Sequence, residues 1–289
     1  MDLAPRIASA LEAAVSRMES GGGPPRLAAA IRYAIFPTGA LVRPRLSLIV
    51  ALASGDDDPA LADAAAAALE MLHCGSLVHD DLPCFDDAST RRNRPALHRA
   101  FGQREAVLAG DALIALAFDT VARASARHPE RAAALGRCLA DALLPPGGII
   151  AGQAWECEPV SEISAYQRAK TGALFVAAAM AGAIASGSNP LVWRTLGERL
   201  GEAYQVADDI RDVAAREEEI GKPVGRDAAL GRPNAVASYG MAKAVARFET
   251  LIEQAIASIP ACGGRGLLQK LIRAEAVRLV PEEYLERAA

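Results

Sequence analysis

Two aspartate clusters carry the chemistry this sequence is equipped for. The first is Asp80-Asp81-Leu82-Pro83-Cys84-Phe85-Asp86-Asp87, and the second is Asp208-Asp209-Ile210-Arg211-Asp212. Each interrupts an apolar, helix-favouring stretch. Carboxylates this dense repel one another and are costly to desolvate unless cations neutralise them. Oxygen-only donor sets suit hard divalent ions, Mg²⁺ above all, with phosphate oxygens completing the shell. The pattern predicts a chamber with two facing Mg²⁺ sites and a phosphorylated substrate between them. Arg91, Arg92, Lys170 and Lys222 add the guanidinium and ammonium groups that a diphosphate needs.

The elements that must position these groups read as helices. Asp208 and Asp212 are four apart and share one helix face, with Asp209 flanking them. Asp80 and Asp86 are six apart, about 240° round a regular helix, and would not share a face. Pro83 lacks an N–H and disturbs the helix, so a turn there is expected to bring Asp86 back towards Asp80. Apolar periodicity places helices at 5–19, 25–36, 41–54 and 59–81. Further helices are expected over 104–126, 130–143, 161–187, 190–215, 234–258 and 264–279. Asp58 is the expected N-cap of the fourth helix and Pro59 its first residue. Gly21–Pro25, Pro145–Gly148 and Gly221–Gly225 are breaks. No strand-period segment of useful length stands out.

Composition agrees. The 289 residues are 52% hydrophobic, rich in alanine and leucine, and only 4% aromatic. That mixture favours helices packed closely through small side chains. The net charge of −4 has no basic block, which argues against a nucleic-acid partner. No long uncharged apolar run marks a membrane span, and no signal-peptide pattern opens the chain, so a soluble cytoplasmic protein is expected. The five cysteines are odd in number and scattered, which suggests neither a disulfide framework nor a zinc site.

Several segments together resemble the trans-isoprenyl diphosphate synthases, the polyprenyl synthetase family. They are His79–Asp87, Arg91-Arg92, Leu108–Ala112, Gly152-Gln153, Lys170–Phe175, Tyr204–Asp212 and Gly221–Gly225. Their order and spacing match over roughly residues 30–240. The resemblance implies an all-α, single-domain bundle over residues 1–289 around a deep apolar cavity, the isoprenoid synthase fold, assembled as a homodimer. It implies Mg²⁺, three ions per active site, held by Asp80, Asp81, Asp86, Asp208 and Asp212. It assigns catalysis to Asp80, Asp81, Asp86, Lys170, Asp208 and Asp209. It assigns the allylic diphosphate to Arg91, Lys170, Thr171, Gln205 and Lys222. The implied reaction ionises an allylic diphosphate (dimethylallyl, geranyl or farnesyl) and adds isopentenyl diphosphate to the cation.

The same resemblance assigns isopentenyl diphosphate to Arg43, His73 and Arg92. Here the chain departs from the family, which uses a Gly-Gly-Lys-Arg-x-Arg-Pro segment. This sequence reads Thr38-Gly39-Ala40-Leu41-Val42-Arg43-Pro44, so Ala40 and Leu41 replace two cations. Weaker isopentenyl diphosphate binding follows unless Arg45 or Arg32 substitutes. Product length in the family is set near the first aspartates, and here those positions are Gly75 and Ser76. Both are small, which points to a C20 product, geranylgeranyl diphosphate, with Leu69, Met71 or Leu72 as the cavity floor. Gly152–Glu156 and the segment from Gly221 through Val236 are similar to bacterial enzymes of carotenoid and photosynthetic-pigment biosynthesis. The alternatives are a farnesyl or other chain-length synthase, a non-catalytic synthase subunit and a terpene cyclase.

Overall fold

The computed structural model of this chain describes residues 2–158, 163–214 and 234–281. Lys222, the Gly221–Gly225 segment and Arg232 lie outside the described residues. The all-α expectation holds. Among the described residues the only strands are Thr90–Arg91 and Arg94–Pro95, a two-residue antiparallel ladder.

The chain divides into two compact units. One is Met1–Ala140 with Ala177–Pro190; the other is Asp141–Val176 with Leu191–Ala289. In the first, α1 (Ala4–Ser20), α2 (Pro25–Ile35), α3 (Val42–Ala53) and α6 (Gln103–Arg123) surround α4 (Pro59–Asp80). Asp58 caps α4 as expected, its carboxylate accepting from the Leu61 N–H at 3.2 Å. Leu61, Leu69, Met71, Leu72 and the alanines Ala64 to Ala68 are all buried. A helix apolar on every side belongs at the centre of a core, and its alanines let neighbours approach closely. Composition alone would let two helices cross a membrane, Pro59–Asp80 and Ala165–Ala185. Their apolar windows are 78% and 61% buried inside the protein, as core helices are. The short α5 (Leu97–Phe101), which the sequence did not suggest, packs on α2 and α6.

The second unit holds α8 (Ile149–Ala154), α9 (Ile163–Gln167), α11 (Arg194–Ala214), α12 (Ala235–Tyr239), α13 (Met241–Ala257) and α14 (Arg265–Leu279). The helix α7 (Pro129–Leu143) ends in it, and α10 (Ala173–Ala185) begins in it. Within the helix expected over 161–187, the described residues Ile163–Ala185 are helical without a break but not uniform: Arg168–Gly172 is a π-helical turn between α9 and α10. Such turns displace side chains from regular helix positions and recur at functional sites. Lys170 and Thr171 lie in it.

Candidate active site

The first cluster forms where α4 ends. Beyond Asp80 the chain folds back on itself. The Asp86 N–H donates to the Asp80 carbonyl at 3.0 Å, the Asp87 N–H to Leu82 at 3.0 Å and the Ala88 N–H to Asp81 at 3.2 Å. This is the interruption expected at Pro83. It brings carboxylate oxygens of Asp80 and Asp86 within 4.8 Å of each other. Asp81 turns the other way. It is 2% exposed and accepts from Arg91 Nε at 3.1 Å. Burial pushes its carboxyl up, and Arg91 pulls against that shift.

The two arginines sit on the small hairpin. Arg92 and Asn93 occupy its turn with φ of +53° and +59°, the left-handed geometry of a two-residue hairpin turn. Arg94 pins the hairpin to α2, donating to the Phe36 carbonyl at 2.7 Å and lying 3.6 Å over the Tyr33 ring. Arg92 reaches the other way, to Glu70 at 3.2 Å, and Gly39 rests so close that a Cβ there would lie 2.8 Å from its guanidinium. Arg43 Nη1 lies 3.4 Å from His73 Nε2. Arg43, His73 and Arg92, singled out from the sequence, are thus gathered in one place.

Glu70 joins them and was not foreseen. It is a single carboxylate in the run Ala68-Leu69-Glu70-Met71-Leu72, 2% exposed. Burial raises its pKa, and Arg92 and Arg43 oppose the rise. The signal was available: an acidic residue in an otherwise apolar helix is rarely buried without a cationic partner. Burial first, then Arg43, Arg92 and Arg91, push the pKa of His73 well below the ordinary 6.5, which favours its neutral form.

Ala40 is exposed, and Leu41 is buried in the left-handed region at φ +55°, just before α3. Of the two arginines that could substitute for the missing cations, Arg32 is committed to Glu19 at 2.7 Å and Glu12 at 2.8 Å. Arg45 lies 3.5 Å from Asp2.

Gly75 and Ser76 occupy the last turns of α4. A Cβ on Gly75 would meet the Gly110 carbonyl at 3.2 Å and Leu113 at 3.4 Å, so Gly75 is a contact point with α6. Ser76 donates to the His73 carbonyl at 2.8 Å. Leu69, Met71 and Leu72 are at most 1% exposed. His79 accounts for the glycine of the Leu108–Ala112 segment. Its ring lies where a Gly110 Cβ would stand, and its Nε2 is 3.2 Å from the Val107 carbonyl.

In the second unit the adjacent aspartates also divide. Asp209 is 1% exposed and accepts from Gln205 Nε2 at 2.9 Å and the Ala235 N–H at 2.8 Å. It ties α11 to the start of α12, where Asn234 caps the Val236 N–H at 2.8 Å. Asp208 and Asp212 share another face of α11. Thr171 donates to Gln205 at 2.7 Å. Lys170 is 2.6 Å from Glu156, whose carboxylate also accepts from Tyr166 at 2.7 Å and Gln153 at 2.9 Å. Glu156 was not foreseen as the anchor of Lys170. Gly152 and Gly201 let α8 and α11 close on the π-helical turn: a Cβ on either would lie 2.3 Å from Lys170 N or 2.8 Å from Gly172 Cα.

The donor chemistry fits Mg²⁺. Asp80 and Asp86 form a partly exposed carboxylate pair with no nitrogen or sulfur donor in it, as a hard cation with phosphate oxygens requires. An all-α bundle with such a pair, and with Arg91 anchored by Asp81 close to it, defines a class of enzyme that handles diphosphates through divalent metal. Comparison with known proteins agrees. Residues 24–265 match the polyprenyl synthetase family. A geranylgeranyl diphosphate synthase of Cereibacter sphaeroides is 51% identical over 98% of both chains. A farnesyl diphosphate synthase of Geobacillus stearothermophilus is 37% identical over 85% of this chain and 86% of its own. Among solved structures, a geranylgeranyl pyrophosphate synthetase of Pyrococcus horikoshii superposes with a TM-score of 0.78 at 28% identity, covering 93% of this chain and 94% of its own. The chain belongs to the polyprenyl synthetase family. It is a trans-prenyltransferase, and the family is Mg²⁺-dependent.

Proposed function

We propose that this enzyme condenses isopentenyl diphosphate with allylic diphosphates and releases geranylgeranyl diphosphate, C20. One observation carries the reaction class. A single helix, α4, presents a carboxylate pair at its end and His73 two turns earlier, where Arg43 and Arg92 gather. The first suits a diphosphate bound through metal, the second a diphosphate bound without one. A terpene cyclase needs no second diphosphate site.

In this reading Asp80, Asp86, Asp208 and Asp212 hold three Mg²⁺, with Asp81 and Asp209 fixing the loop and helix that carry them. When bound, Mg²⁺ neutralises charge on the departing diphosphate. Arg91 and Lys170, kept in place by Asp81 and Glu156, bind that diphosphate, with Lys222. The C–O bond breaks and its electron pair leaves with the diphosphate. The double bond of isopentenyl diphosphate, held by Arg43, His73 and Arg92, attacks the allylic carbon. The diphosphate takes the proton that is lost. Thr171 and Gln205 flank the cation, and a dry site protects it from water. The proposal extends to one synthase domain over residues 1–289, a cytoplasmic homodimer, and supply of carotenoid-type pigments.

Incubation of the purified enzyme with dimethylallyl and isopentenyl diphosphates, followed by product chromatography, tests this. A dominant C15 product removes the C20 assignment, and no turnover by the protein alone favours a non-catalytic subunit. Gly75→Tyr is expected to shorten the product. Because Gly75 abuts the Gly110 carbonyl, it should also cost about 1–3 kcal/mol of stability. An unchanged C20 product places the floor elsewhere.

Ala40→Lys tests the isopentenyl site. Ala40 is exposed, so a lysine there is accommodated. A charge-assisted phosphate contact contributes about 1.5–3 kcal/mol. KM for isopentenyl diphosphate should fall about ten-fold or more, with the allylic KM unchanged. Equal changes in both constants would contradict a local effect.

A further inference from the structure

We propose that α5 latches the first aspartate loop through Asp87, which Arg99 holds and towards which His98 is placed to donate its Nε2–H. Nothing in the spacing of the aspartates pointed to α5. The His98 side chain is 2% exposed, and among the described residues neither of its ring nitrogens has a hydrogen-bond partner. A buried imidazole left that way is costly unless a partner is close. The close group is Asp87, with Oδ1 3.6 Å from Nε2. The same oxygen accepts from the next residue of α5, Arg99, at 2.7 Å.

Asp87 stands at the far end of the fold-back, at φ +43°, with its N–H on the Leu82 carbonyl at 3.0 Å. The preceding N–H, that of Asp86, is on Asp80. A pull on the Asp87 carboxylate therefore sets where the Asp86 carboxylate lies relative to Asp80. At 3.6 Å the His98 bond is not made, but the Asp87 side chain is 53% exposed and not packed in place. A shift of about 0.6 Å completes the bond. Partners that orient metal-binding side chains typically tune metal affinity about 10–100-fold. The inference rests on the reading that Asp80 and Asp86 hold a divalent cation.

Mn²⁺ binding by the full-length protein, measured by electron paramagnetic resonance with inorganic diphosphate present, is the test. His98→Leu should weaken Mn²⁺ about ten-fold. Its melting temperature should hold or rise, because an unpartnered polar ring has been removed. A merely structural histidine would lower melting and leave Mn²⁺ alone. His98→Gln, which keeps a donor, should recover most of the affinity. In an Asp87→Asn background, His98→Leu should add no further loss. Wild-type Mn²⁺ affinity in His98→Leu, with Asp86→Asn weakened, overturns the latch. Equal binding by wild type and Asp86→Asn overturns the metal reading itself. If His98→Leu does not fold, Arg99→Gln carries the test: it must weaken Mn²⁺ when Asp87 is present and not when Asp87 is Asn, and wild-type affinity overturns the latch.

Discussion

Asp80→Asn should lower kcat by about 10³-fold while leaving the melting temperature nearly unchanged. Removing one preorganised group that stabilises charge developing in a transition state costs about 10²–10³-fold. Asp80 belongs at the upper end because its carboxylate is paired. Its oxygen lies within 4.8 Å of one from Asp86, so a cation held as proposed would lose one of the two carboxylates that the first cluster brings together. Stability should change little, because two effects oppose each other. In the absence of metal Asp80 is repelled by Asp86 and attracted by Arg91, and Asn weakens both. The fold-back survives because the bond that makes it uses the Asp80 carbonyl, not its side chain. Steady-state turnover at saturating Mg²⁺, with a melting curve, checks both halves. Turnover at about a tenth of wild type would remove Asp80 from the metal set.

Gly152→Ala should be strongly damaging although it removes no charged group. Its Cβ would lie 2.3 Å from Lys170 N and 2.4 Å from Lys170 Cα. Both are backbone atoms of the π-helical turn, so no side chain can rotate away and the turn itself must move. Overpacking of that kind costs about 1–3 kcal/mol. Lys170 and Thr171 travel with the turn, which disturbs the Glu156 and Gln205 contacts at 2.6 and 2.7 Å. A displacement of about 1 Å in a positioning group can cost about 10²-fold in rate. Activity should therefore fall further than stability, with KM for the allylic diphosphate rising as well. Wild-type kcat with a wild-type melting temperature would mean that α8 and the turn do not approach this closely.

Much of the site was legible before any coordinates. The proline inside the first cluster, the four-residue spacing of Asp208 and Asp212, and Asp58-Pro59 opening α4 are all local features. Their consequences follow from helix geometry within a turn or two. The motif order carried the family, and with it the all-α fold. Legibility stopped where partners are distant in sequence. Nothing local distinguishes Asp80 from Asp81, or Asp208 from Asp209. Asp81 turns inward because the hairpin delivers Arg91, and Asp209 because Ala235 arrives 26 residues later. Glu70 acquires its meaning from Arg92, and His98 from a loop that folds back on α4.

The sequence by itself thus predicted two carboxylate clusters on helices suited to metal and diphosphate, because spacing and residue chemistry are properties of a short stretch of chain. Only the tertiary structure decided which carboxylates are tied to the scaffold, Asp81 by Arg91 and Asp209 by Gln205 and Ala235. That choice depends on which buried donor reaches each oxygen first, and those donors come from elements far away along the chain.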